Sequence, residues 1–160
     1  MPAPNPELRV EGGQRLVRFL NIVTDEMVSP RFLNRIGNFV RTRIKSRTLV
    51  GVDADGHAFK PYSPSYKLFR IKHRRPANKV DLFYSGSMLN AIDYQVRPRE
   101  VRIFIRPGTD SKGTSNPAKA YYIQNKQKRK FFAVSAADEL KIRAMFEERV
   151  KGIIDRGGRQ

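Results

Sequence analysis

The chain has 160 residues, a 39% hydrophobic fraction and 10 Phe with 6 Tyr, enough apolar material for one modest folded core. With no Cys it excludes disulfides and thiolate metal sites, and no apolar run approaches the roughly 18–20 residues of a membrane-spanning helix. The net charge of +17 favours adhesion to a polyanion, whether nucleic acid, an anionic membrane or an acidic protein surface.

The start, Met1-Pro2-Ala3-Pro4-Asn5-Pro6, lacks the basic lead and apolar stretch of a secretory signal, so a soluble protein not exported by that route is expected. Residues 1–6 read as an unstructured proline-rich lead. A helix is expected from about Gly13 to Met27, with Leu16, Phe19, Leu20, Val23 and Met27 on one face. Ser29-Pro30 reads as the next helix start, Ser capping and Pro in the first turn. Over residues 30–48, a rotation of roughly 100° per residue gathers Phe32, Leu33, Ile36, Phe39, Val40 and Ile44 in one sector. Arg31, Arg35, Arg41 and Lys45 fall opposite, while Arg43 and Arg47 land on the apolar side. Those two are expected at a helix end or a subunit contact, not in a dry core.

Gly51 to Gly56 and Phe59 to Pro64 carry the Asp-Gly and proline chemistry of turns and read as loops. Residues 70–79 read as a basic loop. Alternating polarity over Asp93–Arg97 and Val101–Arg106, joined by Arg97-Pro98-Arg99-Glu100, predicts an antiparallel pair. Pro107 to Pro117 reads as a mobile loop, Ala118 to Gln124 as a short helix, and Phe131 to Val134 as a third strand. A closing helix follows Ser135, with Ile142, Phe146, Val150 and Ile153 on one face and an end at Gly157-Gly158. No repeat or linker divides the chain, so one domain over 1–160 is expected, its ends at 1–6 and 157–160 flexible.

Charge placement says more than the total. The last helix balances Asp138, Glu139, Glu147, Glu148 and Asp155 against Lys141, Arg143, Arg149, Lys151 and Arg156. Residues 28–52, 60–79 and 119–130 instead carry six, seven and five bases and no acid. Self-repulsion in a folded domain favours a partner that neutralises such segments. An acidic or polyanionic partner is therefore expected at Arg70, Lys72, Arg74, Arg75 and Lys79, and at Lys126, Lys128, Arg129 and Lys130.

Chemistry finds little footing. Only His57 and His73 could serve a zinc site or a His-based triad. Asp53-x-Asp55-Gly56 begins like a calcium loop, but the third acid and the bidentate Glu are missing, and a plain turn is expected. Ser85-Gly86-Ser87 lacks nucleophile-elbow spacing, and the acids are too sparse for a nuclease metal cluster. No enzyme, cofactor or metal is expected.

Several motifs recur in a telling order: Asp55-Gly56-x-x-Phe59-x-Pro61-Tyr62-Ser63, then Leu82-x-x-Ser85-Gly86-x-Met88-x-x-Ala91-Ile92, then Ala120-Tyr121-x-x-Gln124, and Arg129-x-Phe131-Phe132-x-x-Ser135-x-x-Asp138. In this order the chain resembles the phage virion-morphogenesis or tail-completion family, proteins of the head–tail joining region. The likeness covers about residues 30–155, with Phe59 standing where the family has Trp. It implies an α+β fold, a small antiparallel sheet packed against long N-terminal helices and a C-terminal helix. It also implies a ring homo-oligomer, often of six, in the virion neck or tail top. Partners would be connector, portal-side and tail-tube proteins, and genome DNA in the channel; no membrane partner is implied. Within the motifs, Gly56, Phe59, Pro61, Ser85, Gly86, Gln124, Arg129 and Phe131 are expected to act structurally.

The alternative from another class is a sequence-independent nucleic-acid-binding protein. The charge favours it; the absence of a recognised motif and of an aromatic stacking platform in the basic segments speaks against it. A membrane-surface role for the 30–48 helix would use an apolar face that so small a core needs.

Overall fold

The computed structural model describes residues 24–157. The proline-rich lead and most of the expected Gly13–Met27 helix lie outside the described residues; residues 24–27 are helical. Helix α1, Pro30–Leu49, follows its apolar periodicity, burying Phe32, Leu33, Ile36, Val40 and Ile44. Pro30 opens it as expected, but the Ser29 side chain makes no cap bond.

The expected hairpin is present as β1, Ile92–Arg97, and β2, Glu100–Ile105, with Tyr94 opposite Ile103 and Val96 opposite Val101. The sheet packs on α1, and the approach is close at Gly37, where a Cβ would run into the Tyr94 ring. Arg41 reaches across from α1 to Asp93 on β1 at 3.5 Å. This arrangement is α+β, two antiparallel strands laid against helices.

Three expectations need correction. Of residues 59–64 and 70–79, read as loops, Pro64 and residues 70–72 belong to helix α2, Pro64–Lys72, capped by Ser63, whose Oγ accepts from the Tyr66 N–H. The basic stretch 70–79 therefore begins inside a helix. Phe131 to Val134 is not a strand; Arg47 donates to the oxygens of Phe131 and Ala133 instead. The Phe132 N–H goes to the Gln124 side chain, so the segment meets part of its backbone hydrogen-bonding need outside any ladder. Pro107–Pro117, read as a mobile loop, ends inside a helix, since Asn116 and Pro117 are helical; the rest carries a bridge between Thr109 and Ser115, and Asp110 accepts from the N–H groups of Lys112 and Thr114.

The remaining elements are α3, Ser87–Asn90, and α4, Asn116–Tyr121, which runs on into a π-helical turn, Tyr122–Lys126. The chain then closes on α5, Ala136–Gly157. Ser135 caps α5 as expected: its Oγ accepts from the Asp138 N–H, and the Asp138 carboxylate accepts from the Ser135 N–H, a reciprocal box. Phe131, Ile92, Phe59, Val80, Met88 and Met145 join α1 in one core. No described helix is long and apolar enough to cross a membrane.

Candidate functional site

Linear counting of charge misplaces the arginines. Arg47, on the apolar side of α1, sits near the helix end as expected but is buried. It donates to Asp138 at 2.8 Å, and Arg43 donates to the other oxygen of the same carboxylate at 2.8 Å. Arg70 is only 1% exposed. Its fork donates to the Pro76 carbonyl at 2.5 Å, the Tyr62 hydroxyl at 3.0 Å, and both Asp81 and the Phe83 carbonyl at 3.1 Å. Arg129, also buried, donates to the carbonyls of Lys60 and Pro61 and to Gln127.

Arg70 and Arg129 are thus not the free contact residues that the sequence suggested. A guanidinium presents five donors in a rigid plane, and here that plane fastens the backbone of 60–83 to its surroundings. Burial pushes the Tyr62 phenol up to about 12, with Asp81 adding to the rise and Arg70 opposing it, so its hydroxyl stays neutral.

The other seven expected contact residues are exposed. Lys130 pairs with Asp55 at 2.8 Å, and Arg75 lies over the Tyr84 ring. Lys72, Arg74, Lys79, Lys126 and Lys128 have no ion pair among the described residues. Arg74 has φ 53° as the left-handed residue ending α2; Arg75 N–H bonds the Arg70 carbonyl and Arg74 N–H that of Ile71, a Schellman closure.

Lys126 and Lys128 line a cleft of about 840 Å³, within the ~300–1,000 Å³ range of ligand sites; Lys72, Arg74 and Lys79 lie outside its walls. Its floor is apolar, with Tyr62, Phe69, Leu82, Met88 and Ile123, and its rim carries Lys60, Lys112, Lys119, Lys126 and Lys128. Asp110 is the single acid in the lining. It is committed to Lys119 at 2.6 Å. The hydrogen bond from Lys119 and those from the turn N–H groups hold its carboxyl down at about 2.

Aromatic rings run along one wall, an element the sequence reading missed. Tyr66 stacks on Phe69 at 5.7 Å and Phe69 on Tyr84 at 5.8 Å, with His73 4.2 Å from Phe69. The signal was available: after Ser63-Pro64, the residues Tyr66, Phe69, Arg70 and His73 have helical spacing. These rings are already engaged, by one another and by cations. Arg70 and Arg129 both lie over Tyr62, and Lys112 over Phe69.

Of the motif residues, Pro61, Ser85 and Gly86 line the cleft. Phe59 and Phe131 are core, and Gln124 serves the Phe132 N–H. Gly86 has φ 81°, with the Phe83 ring against its missing Cβ; Gly56 turns an exposed corner at φ 87°. Asp53 uses its carboxylate on the N–H groups of Asp55 and His57, the plain turn expected. No group of three His, Cys, Asp or Glu able to hold a metal occurs among the described residues.

Two cleft residues stand in left-handed backbone without being glycine, Leu82 at φ 51° and Lys128 at φ 55°. Such a residue costs about 1–2 kcal/mol, and strain of this kind concentrates at functional sites. The Lys128 side chain is exposed, so Lys128→Gly removes strain without losing packing. After the larger unfolded-state entropy of Gly is deducted, a gain of about 0.5–1 kcal/mol is expected in urea unfolding. A loss of stability would show that the conformation is not strained.

No protein-family model matches the chain, and neither the curated proteins nor the solved structures contain a match.

Proposed function

We propose that this chain is a non-enzymatic structural protein of a tailed bacteriophage, one subunit of an oligomeric ring in the neck or tail top that helps join tail to head, as a tail terminator or another neck component. The observation that carries the reading is the order and spacing of the four motifs between Asp55 and Asp138. The surface supports it. Apolar side chains stand out on two helices, with Leu68 68% and Ile71 60% exposed on α2 and Leu140 67% exposed on α5, as suits a chain that meets others. Unpaired lysines ringing a ready-made cleft suit an acidic neighbour from the connector, portal or tail-tube side.

The rival reading, sequence-independent binding of nucleic acid, gains from the nearness of rings and lysines at the cleft. It loses because Tyr62, Phe69 and Tyr84 are already packed on other rings or under guanidinium groups, which among the described residues leaves Tyr122 alone as an open ring at the cleft.

Mass spectrometry of purified phage particles tests the proposal: peptides of this chain are expected at ring stoichiometry. A strictly monomeric protein absent from particles overturns it. Tight binding to free DNA at physiological salt, falling steeply as salt rises, would support the rival.

A further inference from the structure

We infer that the cleft between α2 and the π-helical turn receives an acidic, apolar-anchored segment of another protein; the identification of that protein as a particle neighbour rests on the assembly reading above. Charge comes first. Lys60, Lys126 and Lys128 converge on one opening with no counter-ion among the described residues, and the only lining acid is held by Lys119. A ligand that brings carboxylates relieves this repulsion, and such complementarity sets both partner choice and association rate.

The floor decides what lies between the carboxylates. Leu82, Met88 and Ile123 offer an apolar seat, which an aliphatic or aromatic side chain fills and a phosphodiester backbone does not. Sequence-tolerant binding of single-stranded nucleic acid needs free ring faces for base stacking. Here Phe69 already meets Tyr66, His73 and Tyr84, Tyr62 lies under two guanidinium groups and Tyr84 under Arg75; Tyr122, 55% exposed, is left outside these contacts, a single platform where a strand stacks several bases in succession. Peptide therefore fits better than nucleic acid.

Three backbone features mark the same walls. The left-handed Leu82 and Lys128 and the π-helical turn Tyr122–Lys126 all border the cleft, and π-turns recur at functional sites. Arg70 and Arg129 fix both walls in advance, so little ordering is required when a segment binds.

The test uses the full chain and fluorescence polarisation, with a labelled peptide of about 12 residues carrying two Leu flanked by Glu as probe. Saturable binding is expected, weakened about tenfold or more when Gln replaces every Glu, or Ser both Leu. K126E/K128E should weaken it at least about tenfold, whereas K72E/R74E, with the same charge change outside the cleft, should weaken it less than about threefold. Circular dichroism checks that both variants are folded. Equal losses in the two variants would reduce the effect to net charge and overturn the inference. So would the absence of saturable binding, or tighter binding of an oligothymidylate that displaces the peptide. If the chain is found in particles but the peptide fails, this inference alone falls. If the peptide binds at the cleft but the chain is absent from particles, the ligand class is upheld and the assembly reading falls.

Discussion

Asp138→Ala is expected to destabilise the fold by about 3–5 kcal/mol, the usual cost of removing one partner from a buried ion pair. Asp138 is 1% exposed and Arg47 8% exposed. One carboxylate receives Arg43, Arg47 and the Ser135 N–H, and so joins the end of α1, the start of α5 and the segment between Phe131 and Ser135. Without it, Arg47 keeps only the carbonyls of Phe131 and Ala133, and its charge is left buried without compensation. Urea unfolding at neutral pH measures the loss; a change below about 1 kcal/mol would show the network to be dispensable.

The same carboxylate sets a pH dependence. Burial pushes the Asp138 carboxyl up, but hydrogen bonds from Ser135 and Arg43 outweigh it and hold the group below its usual value. A carboxyl depressed in the folded state contributes stability above its unfolded pKa of about 3.9, and that stability is lost as pH falls through the folded value. The native chain should therefore lose stability below about pH 4. The difference between native protein and Asp138→Ala should shrink there. A difference that stays constant from neutral pH to about pH 2 would contradict the linkage.

Arg70→Met should cost a similar amount, about 3–5 kcal/mol, through a different failure. Met matches the apolar stem but supplies none of the donations to Tyr62, Pro76, Asp81 and Phe83. Asp81 would keep only the Phe83 N–H and a long contact from Tyr62. Since these bonds attach α2 to the rest of the domain, the variant should also lose peptide binding at the cleft. Arg70→Lys should not restore it, because a point charge cannot reach all four acceptors at once. Full recovery of stability with Lys would show that charge alone matters and that the planar fork does not.

Long periodic elements were legible in the chain itself. α1 and α5 each carry an apolar stripe over five turns or more, and β1 and β2 alternate across a tight turn, so local pattern and tertiary burial agree. α2 was overlooked because Ser63-Pro64 served equally as turn chemistry and as a helix start. At nine residues the helix has little room to declare a period. The failure at Phe131–Val134 is of another kind: its composition is strand-like, but part of its backbone hydrogen bonding goes to side chains from α1 and the π-helical turn. Nor can a count along the chain tell a solvated arginine from a buried one. Acids distant in sequence, Asp81 and Asp138 among them, meet the bases of the acid-free segments, and the fold alone decides which lysines stay unpaired. The cleft brings together residues from Lys60 to Arg129, and no local pattern contains it.

Amine labelling of lysines, compared between the free protein and purified phage particles, probes the central claim most directly. Lys60, Lys126 and Lys128 should react freely in the isolated chain and be shielded in the particle. Equal reactivity of the three cleft lysines in both states, or particles that yield no peptide of this chain, would contradict the account.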